Sequence, residues 1–289
     1  MGPHLLSTFQ SILQNRRSVS ALRALTLPLP TTVDFSSNDF LSLSTSPLLR
    51  TTLLQHLRNA PPTTPFGSRG SRLLDGNSSY AEALETDIAA YHNAPAGLIF
   101  NSGYDANSGF FACVVQAGDV VVFDEYVHAS AREGMRLSRA GRRVGFQHNS
   151  LEGLRGVLGE CMEGDERVRG GERNVFVAVE SVYSMDGDLA PLREFVVCME
   201  EMLPAGNGYL VVDEAHATGV VGPGGRGLVC ELGIEDRVFA RLHTFGKALG
   251  CSGGMYCPPR LPVLCVFESE LNLGLMKNGR GKRLYYARR

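Results

Sequence analysis

No CxxC pair occurs in this 289-residue sequence, although it holds seven cysteines, at 113, 161, 198, 230, 251, 257 and 265. An odd, scattered set reads as reduced thiols in an intracellular protein rather than a disulfide framework, and no metal site is expected. No apolar run approaches the roughly 20 residues that a membrane-spanning helix needs. An excess of either charge is also lacking: 28 Lys and Arg stand against 30 Asp and Glu, a formal net charge of -2. Nothing in that balance favours nucleic acid or an anionic membrane. Position six is Leu, so a myristoylation signal is incomplete. No acidic residue precedes Asp34, while Arg16, Arg17 and Arg23 do, which is presequence-like composition. The near-helical spacing of Leu5, Leu6, Phe9, Ile12 and Leu13 reads better as an amphipathic N-terminal helix. A cytoplasmic protein is expected, with a mitochondrial or peroxisomal one left open.

Glycine is plentiful, at 33 residues, against a usual share of roughly 7%. The pattern predicts helices over 5–26, ended by Pro28 and Pro30, and over 47–59, with a short strand and turn at 33–43 between them. A Pro-, Gly-, Ser- and Thr-rich loop follows at 61–79, long enough to suggest a function. From residue 80, short apolar runs alternate with amphipathic helices. Strands are predicted at 97–100, 119–123, 142–146, 175–180, 208–213 and 238–243, with helices at 80–92, 104–115, 128–139, 150–162 and 191–203 and a solvated loop at 163–173. Such alternation means an α/β fold with a mostly parallel sheet, whose ligands bind beyond the C-terminal ends of the strands.

The informative residues stand at those ends. VVDEAHATG (211–219) carries Asp213 and His216, and HTFGKALGCSGG (243–254) carries Lys247 among Thr244, Gly246 and Ser252. Singly, an Asp there caps a turn and a Lys is solvated. Together with SSNDFLSL, NSGYDAN, DEYVHAS, ESVYSMDGDLAPL and VDEAHATGVVGPGGRG, in this order, they resemble the pyridoxal-phosphate (PLP) enzymes of the α-oxoamine synthase family over roughly residues 16–254. The resemblance implies an aspartate aminotransferase-like, fold-type I large domain: a mostly parallel seven-stranded sheet between helices. It implies that Lys247 forms the Schiff base with PLP, that Asp213 keeps the pyridine nitrogen protonated, that His216 contacts the ring oxygen, and that His128 stacks on the ring. Ser102, Gly103 and Tyr104, at a strand-to-helix junction, are expected to hold the phosphate, with hydroxyls from Thr244 and Ser252. Glu180 and Ser184 are expected at the cofactor's edge, and Arg23 and Asn38 at the substrate. The Gly-rich patches GSRGSR (67–72) and GPGGRG (222–227) are weak signals alone.

The implied reaction condenses L-alanine with pimeloyl-CoA, losing CO2 and CoA, on the way to biotin. Glycine with acetyl-CoA is the nearest alternative, and an inactive remnant is a third reading. The family pattern is read to stop after Gly254. An N-terminal segment (1–60), an incomplete PLP-binding domain (61–254) and a tail (255–289) are expected, with a C-terminal small domain of about 100 residues missing. The expectation is a truncated or misread gene, and a homodimer for the full-length form.

Overall fold

The computed structural model describes residues 3–258, apart from 28 and 30. The described residues fall into two compact units, one up to Ser37 and one from Asn38 onward. The first holds α1 (Pro3–Ser18) and exposed chain after it. The helix stops well short of residue 26. Ser18, Val19 and Ser20 are weak helix formers, and Ser20 turns left-handed at φ 54°. Pro28 and Pro30, like residues 259–289 of the expected tail, lie outside the described residues. Residues 33–43 form turns and no strand. Asp34 accepts the N–H groups of Ser36 and Ser37, and Asp39 that of Leu43. Such local side-chain bonds compete with a β ladder.

The second unit begins with α2 (Pro47–Asn59), which the sequence grouped with the N-terminal segment. Next come α3 (Ser79–Tyr91), β1 (Leu98–Phe100), α4 (Gly103–Val114), β2 (Val120–Asp124), α5 (Ala129–Leu137) and β3 (Arg142–Phe146). The chain continues through α6 (Leu151–Gly164), α7 (Glu166–Arg169), β4 (Val175–Glu180), α8 (Leu192–Met202), β5 (Gly208–Asp213), α9 (Leu228–Leu232), β6 (Ala240–Thr244) and β7 (Gly254–Cys257). The stretch 163–173, read as a solvated loop, holds the single turn α7, because Val168 is fully buried beneath it.

Among the described residues one sheet of seven strands runs β1-β7-β6-β5-β4-β2-β3. Neighbours from β6 to β3 are parallel, and β7 lies antiparallel to both β1 and β6. The sheet is therefore mixed rather than wholly parallel. The reversed strand starts at Gly254, where the family pattern was read to stop. Alternation along the strands gives two cores. Val120, Val122, Val175, Val177, Val179, Leu210 and Val212 meet Leu154, Leu158, Leu192 and Phe195 of α6 and α8. Val121, Phe176, Ala178, Val211 and Leu242 meet Phe110, Phe111, Ala131 and Met135 of α4 and α5. Each fully buried Leu or Phe contributes about 1.5–3 kcal/mol.

Candidate active site

The chain order reverses between β2 and β4, and at such a switch point the loops splay apart and leave a crevice. Alternation then selects side chains. Ala178 and Val211 face the α4/α5 layer, so Glu180 and Asp213, two residues on, face the same way. Register pairs Glu180 with Asp213 across the two strand ends. By the same rule Leu242 brings Thr244 to that face. These side chains surround a cavity of about 100 Å³ whose lining includes Gly103, Tyr104, Asn107, His128, Glu180, Asp213, Thr244 and Lys247.

The floor is a hydrogen-bond network. Asp213 Oδ2 accepts from Asn107 Nδ2 at 2.7 Å, and Oδ1 accepts the Ala215 N–H at 2.9 Å. Asn107 Nδ2 also donates to Ser130 Oγ at 3.0 Å, while Tyr256 O–H donates to Asn107 Oδ1 at 3.1 Å. His128 caps α5: its Nδ1 accepts the Ser130 N–H at 3.2 Å and lies 2.7 Å from Ser130 Oγ. A ring nitrogen that accepts leaves the other to carry the proton. Close helix contact makes the network possible. A Cβ on Gly134 of α5 would lie 2.7 Å from Ser108 O and 2.8 Å from Asn107 O of α4. Likewise, a Cβ on Gly103 would meet Thr244 Oγ1 at 3.0 Å. Gly103 and Tyr104, the first residues of α4, line the cavity, with Ser102 as the helix N-cap.

Burial sets the electrostatics. It pushes the Glu180 carboxyl up to about 8, with the charge of Asp213 adding to the effect and Lys247 opposing it. It pushes the Lys247 amine down, against the pull of Asp213 and Glu180. His216 falls to about 4, first from burial and then from the charge of Lys247. An amine with a lowered pKa, a carboxylate locked in place and a helix N-terminus at the cavity suit a phosphorylated carbonyl compound.

Seven of the sequence-predicted residues line this cavity: Gly103, Tyr104, His128, Glu180, Asp213, Thr244 and Lys247. His216 is half-buried beside them, its ring 6.2 Å from that of Phe40. Ser102 is committed to capping, its Oγ accepting the Asp105 N–H and donating to Asp105 Oδ2. Ser184 and Asn38 are exposed, and neither is in the cavity lining. Arg23 is exposed in the other unit. Ser252 lines a separate apolar groove of about 600 Å³, with Leu84, Tyr91, Phe245 and Leu249, that contains no lysine.

Sequence reasoning missed Asn107, Ser130 and Tyr256. Asn107 stands inside the quoted phrase NSGYDAN, and its place there was the available signal. Glu214, in VVDEAHATG, was also passed over. It is fully buried and accepts the N–H groups of Leu228 and Val229, each at 2.8 Å, tying the GPGGRG loop to β5. Among the described residues no group of His, Cys, Asp and Glu could hold a metal ion, and no helix is long and apolar enough to cross a membrane.

Known proteins resemble this chain in sequence and in fold. The chain is 60% identical over 266 residues to an 8-amino-7-oxononanoate synthase of Emericella nidulans, a match covering 92% of this chain and 63% of that protein. It is 41% identical over 257 residues to the aminoacyl transferase sphA of Aspergillus fumigatus, covering 88% of this chain and 54% of that one. It thus spans between half and two thirds of the length of these relatives. A serine palmitoyltransferase from S. paucimobilis, solved with a PLP–myriocin adduct bound, superimposes with a TM-score of 0.74 at 26% identity, covering 91% of this chain and 66% of that one. The profile of aminotransferase class I and II matches residues 30–261, beyond the point where the resemblance was read to end, and the chain belongs to that family.

Proposed function

We propose that this chain carries the PLP site of an acyltransferase that condenses L-alanine with pimeloyl-CoA, losing CO2 and CoA, in biotin synthesis. The observation that carries this reading is the convergence of Lys247, Asp213 and His128 on one cavity, in a chain so similar to an 8-amino-7-oxononanoate synthase. The residues fit the cofactor. Gly103 leaves room where a Cβ would crowd Thr244, and Lys247 and Asp213 line the same space.

When bound, PLP supplies an aldehyde and an electron-withdrawing ring. Lys247 Nζ, whose pKa burial lowers, would hold the cofactor through its aldehyde with loss of water, and would accept a proton from the substrate's α-carbon once released. Asp213 holds a proton on a ring nitrogen, and Asn107 keeps its carboxylate from rotating. His128 is oriented by Ser130 to present a ring face. His216, uncharged near neutral pH, donates or accepts one hydrogen bond at the ring oxygen. Gly103, Thr244 and the N-terminus of α4 receive the phosphate. Arg23 and Asn38 are assigned to substrate on resemblance alone, as is a homodimer of the longer protein.

The relation to sphA supports a second reading, in which another amino acid or acyl chain is used. Adding PLP to the chain should produce the absorbance band of a lysine-bound cofactor, and Lys247→Ala should lack it while remaining folded. An unchanged spectrum in that variant overturns the assignment. Turnover of L-alanine, glycine and L-serine against pimeloyl-, acetyl- and palmitoyl-CoA then separates the readings. No turnover with any pair favours an inactive remnant.

A further inference from the structure

Behind the candidate site, on the opposite face of the sheet, lies a cluster that the mechanism does not use. His148 follows β3, and each of its ring nitrogens meets a carboxylate: Nδ1 is 2.9 Å from Asp124 Oδ1 and Nε2 is 2.8 Å from Asp188 Oδ2. Asp124 ends β2, four residues before His128, and is fully buried. Asp188 belongs to the turn that follows Glu180, which is closed by a bridge between Val182 and Leu189. Tyr183, from the same turn, accepts the Glu180 N–H at its hydroxyl at 3.2 Å, close to the charge of Asp124. Asn149 reinforces both arms, its N–H donating to Asp124 Oδ2 at 2.8 Å and its Nδ2 to Asp188 Oδ2 at 2.5 Å.

We propose that His148 is a positioning residue: it ties Asp124 to Asp188, and so holds the turn that carries His128 and the turn that follows Glu180 in fixed register. The consequence at the site rests on the PLP reading above; the clamp itself does not.

The clamp depends on charge for a simple reason. Two carboxylates need two N–H donors, and only the imidazolium has both; a neutral ring turns a lone pair towards one of them. The groups that face the ring are Asp124 and Tyr126 from β2 and its loop, and Tyr183 and Asp188 from the turn, while Glu125 accepts the His148 main-chain N–H. Tyr126 stacks on the ring at 4.3 Å, and Tyr183 meets it edge-on at 4.4 Å. Burial opposes the charge, but the bonds to Asp124 and Asp188 outweigh it and raise the pKa above its ordinary value.

Hydrogen exchange on the whole chain without cofactor, corrected for the chemical rate, tests the clamp. In the wild type the amides of 181–190 should exchange about tenfold faster at pH 8 than at pH 6, the equivalent of one charge-assisted hydrogen bond. In His148→Gln they should be fast at both. A wild type without the difference, or a variant that keeps it, overturns the proposal. If His148→Gln does not fold, Asp188→Asn removes the outer arm alone. It should free 181–190 at both pH values while 124–128 stays protected, and wild-type exchange there overturns the proposal equally. PLP affinity reads the consequence. It should fall about tenfold in His148→Gln at pH 6 and match the wild type at pH 8. A ratio constant with pH reduces His148 to packing and overturns its role at the site. A wild type that binds no PLP at any pH instead sinks the reading of function, and leaves the exchange result to decide the clamp.

Discussion

Asn107 shows what one buried amide does here. Its donor end meets Asp213 and Ser130, and its acceptor end takes the Tyr256 hydroxyl. Replacement by Ala strips those partners at a position that is 2% exposed. Leaving such groups unpaired costs about 1–3 kcal/mol. Asn107→Ala should therefore lower the urea midpoint and weaken PLP binding together. A midpoint and an affinity both like the wild type's would show that Asp213 is held by other means. At this scale the sequence was legible in part. Lys247, Asp213 and His128 stand out because their neighbours form recognisable phrases at strand ends. Asn107, Ser130 and Glu214 sit inside or beside the same phrases, but the bonds of Asn107 to Ser130 and Asp213, of Glu214 to Leu228 and of His148 to Asp188 join positions at least 14 apart and show only in the fold. An Asn in a helix looks ordinary until the facing strand is placed.

The crossing of α4 and α5 decides where His128 and Asn107 meet. Gly134 sits at that crossing, and the sign of Gly134→Ala measures how tight it is. In an open helix the change stabilises by about 1 kcal/mol. Here the new Cβ would lie 2.7 Å from a main-chain oxygen that cannot step aside like a side chain. Overpacking of this kind costs about 1–3 kcal/mol, so the clash wins and the denaturation midpoint should fall. A raised midpoint would mean that the two helices part without penalty. The fully buried β4 is a short apolar run, and it matches its sequence limits, as do the partly buried β5 and the largely exposed edge strand β3. β7 opens on Gly254, directly after Gly253, and glycines carry no strand signal, while Met255, Tyr256 and Cys257 read as the beginning of a foreign tail. The end of α1 and the turns of 33–43 were misjudged because bonds from side chain to main chain leave no periodicity to read.

Across the whole molecule, buried ionisable groups make stability depend on pH with opposing signs. His92 is held at about 4 by burial, and His243, stacked on it at 3.5 Å, lies well below its ordinary value for the same reason. From the usual 6.5 down to about 4 the unfolded chain takes up a proton at His92 that the folded chain refuses. Acid therefore destabilises through the histidines. Burial raises Glu214 to about 7 and Glu180 to about 8, both from 4.5. There the folded chain binds the proton that the unfolded chain has lost, so their contribution is present at low pH and disappears as pH rises. Between 4.5 and 6.5 the two effects offset each other. From 6.5 to 8 the glutamates act without opposition from the histidines, and His148, with its raised pKa, acts in the same direction. Stability should decline over that interval by about 2 kcal/mol, mostly through Glu180. Urea midpoints taken at half-unit steps check this, with Glu180→Gln expected to flatten the decline. A midpoint that climbs from pH 6.5 to 8 rules the account out.

Among the described residues, strand β1 touches the rest of the sheet through β7 alone, and the paired residues, such as Leu98 and Tyr256, are far apart along the chain. During synthesis the ribosome must add every residue of the parallel strands before the partner of β1 exists. The chain therefore emerges with an apolar segment waiting, open to misassociation, while β2 to β6 can already pair. Closing so long a loop is also slow, because its entropy is lost before any contact rewards it. Pulse labelling during refolding should find the amides of β1 and β7 protected last and together. Protection of β1 ahead of β5 would contradict this order. The lysine segment lies between β6 and β7, so the loop that presents Lys247 takes its final form only in that last step.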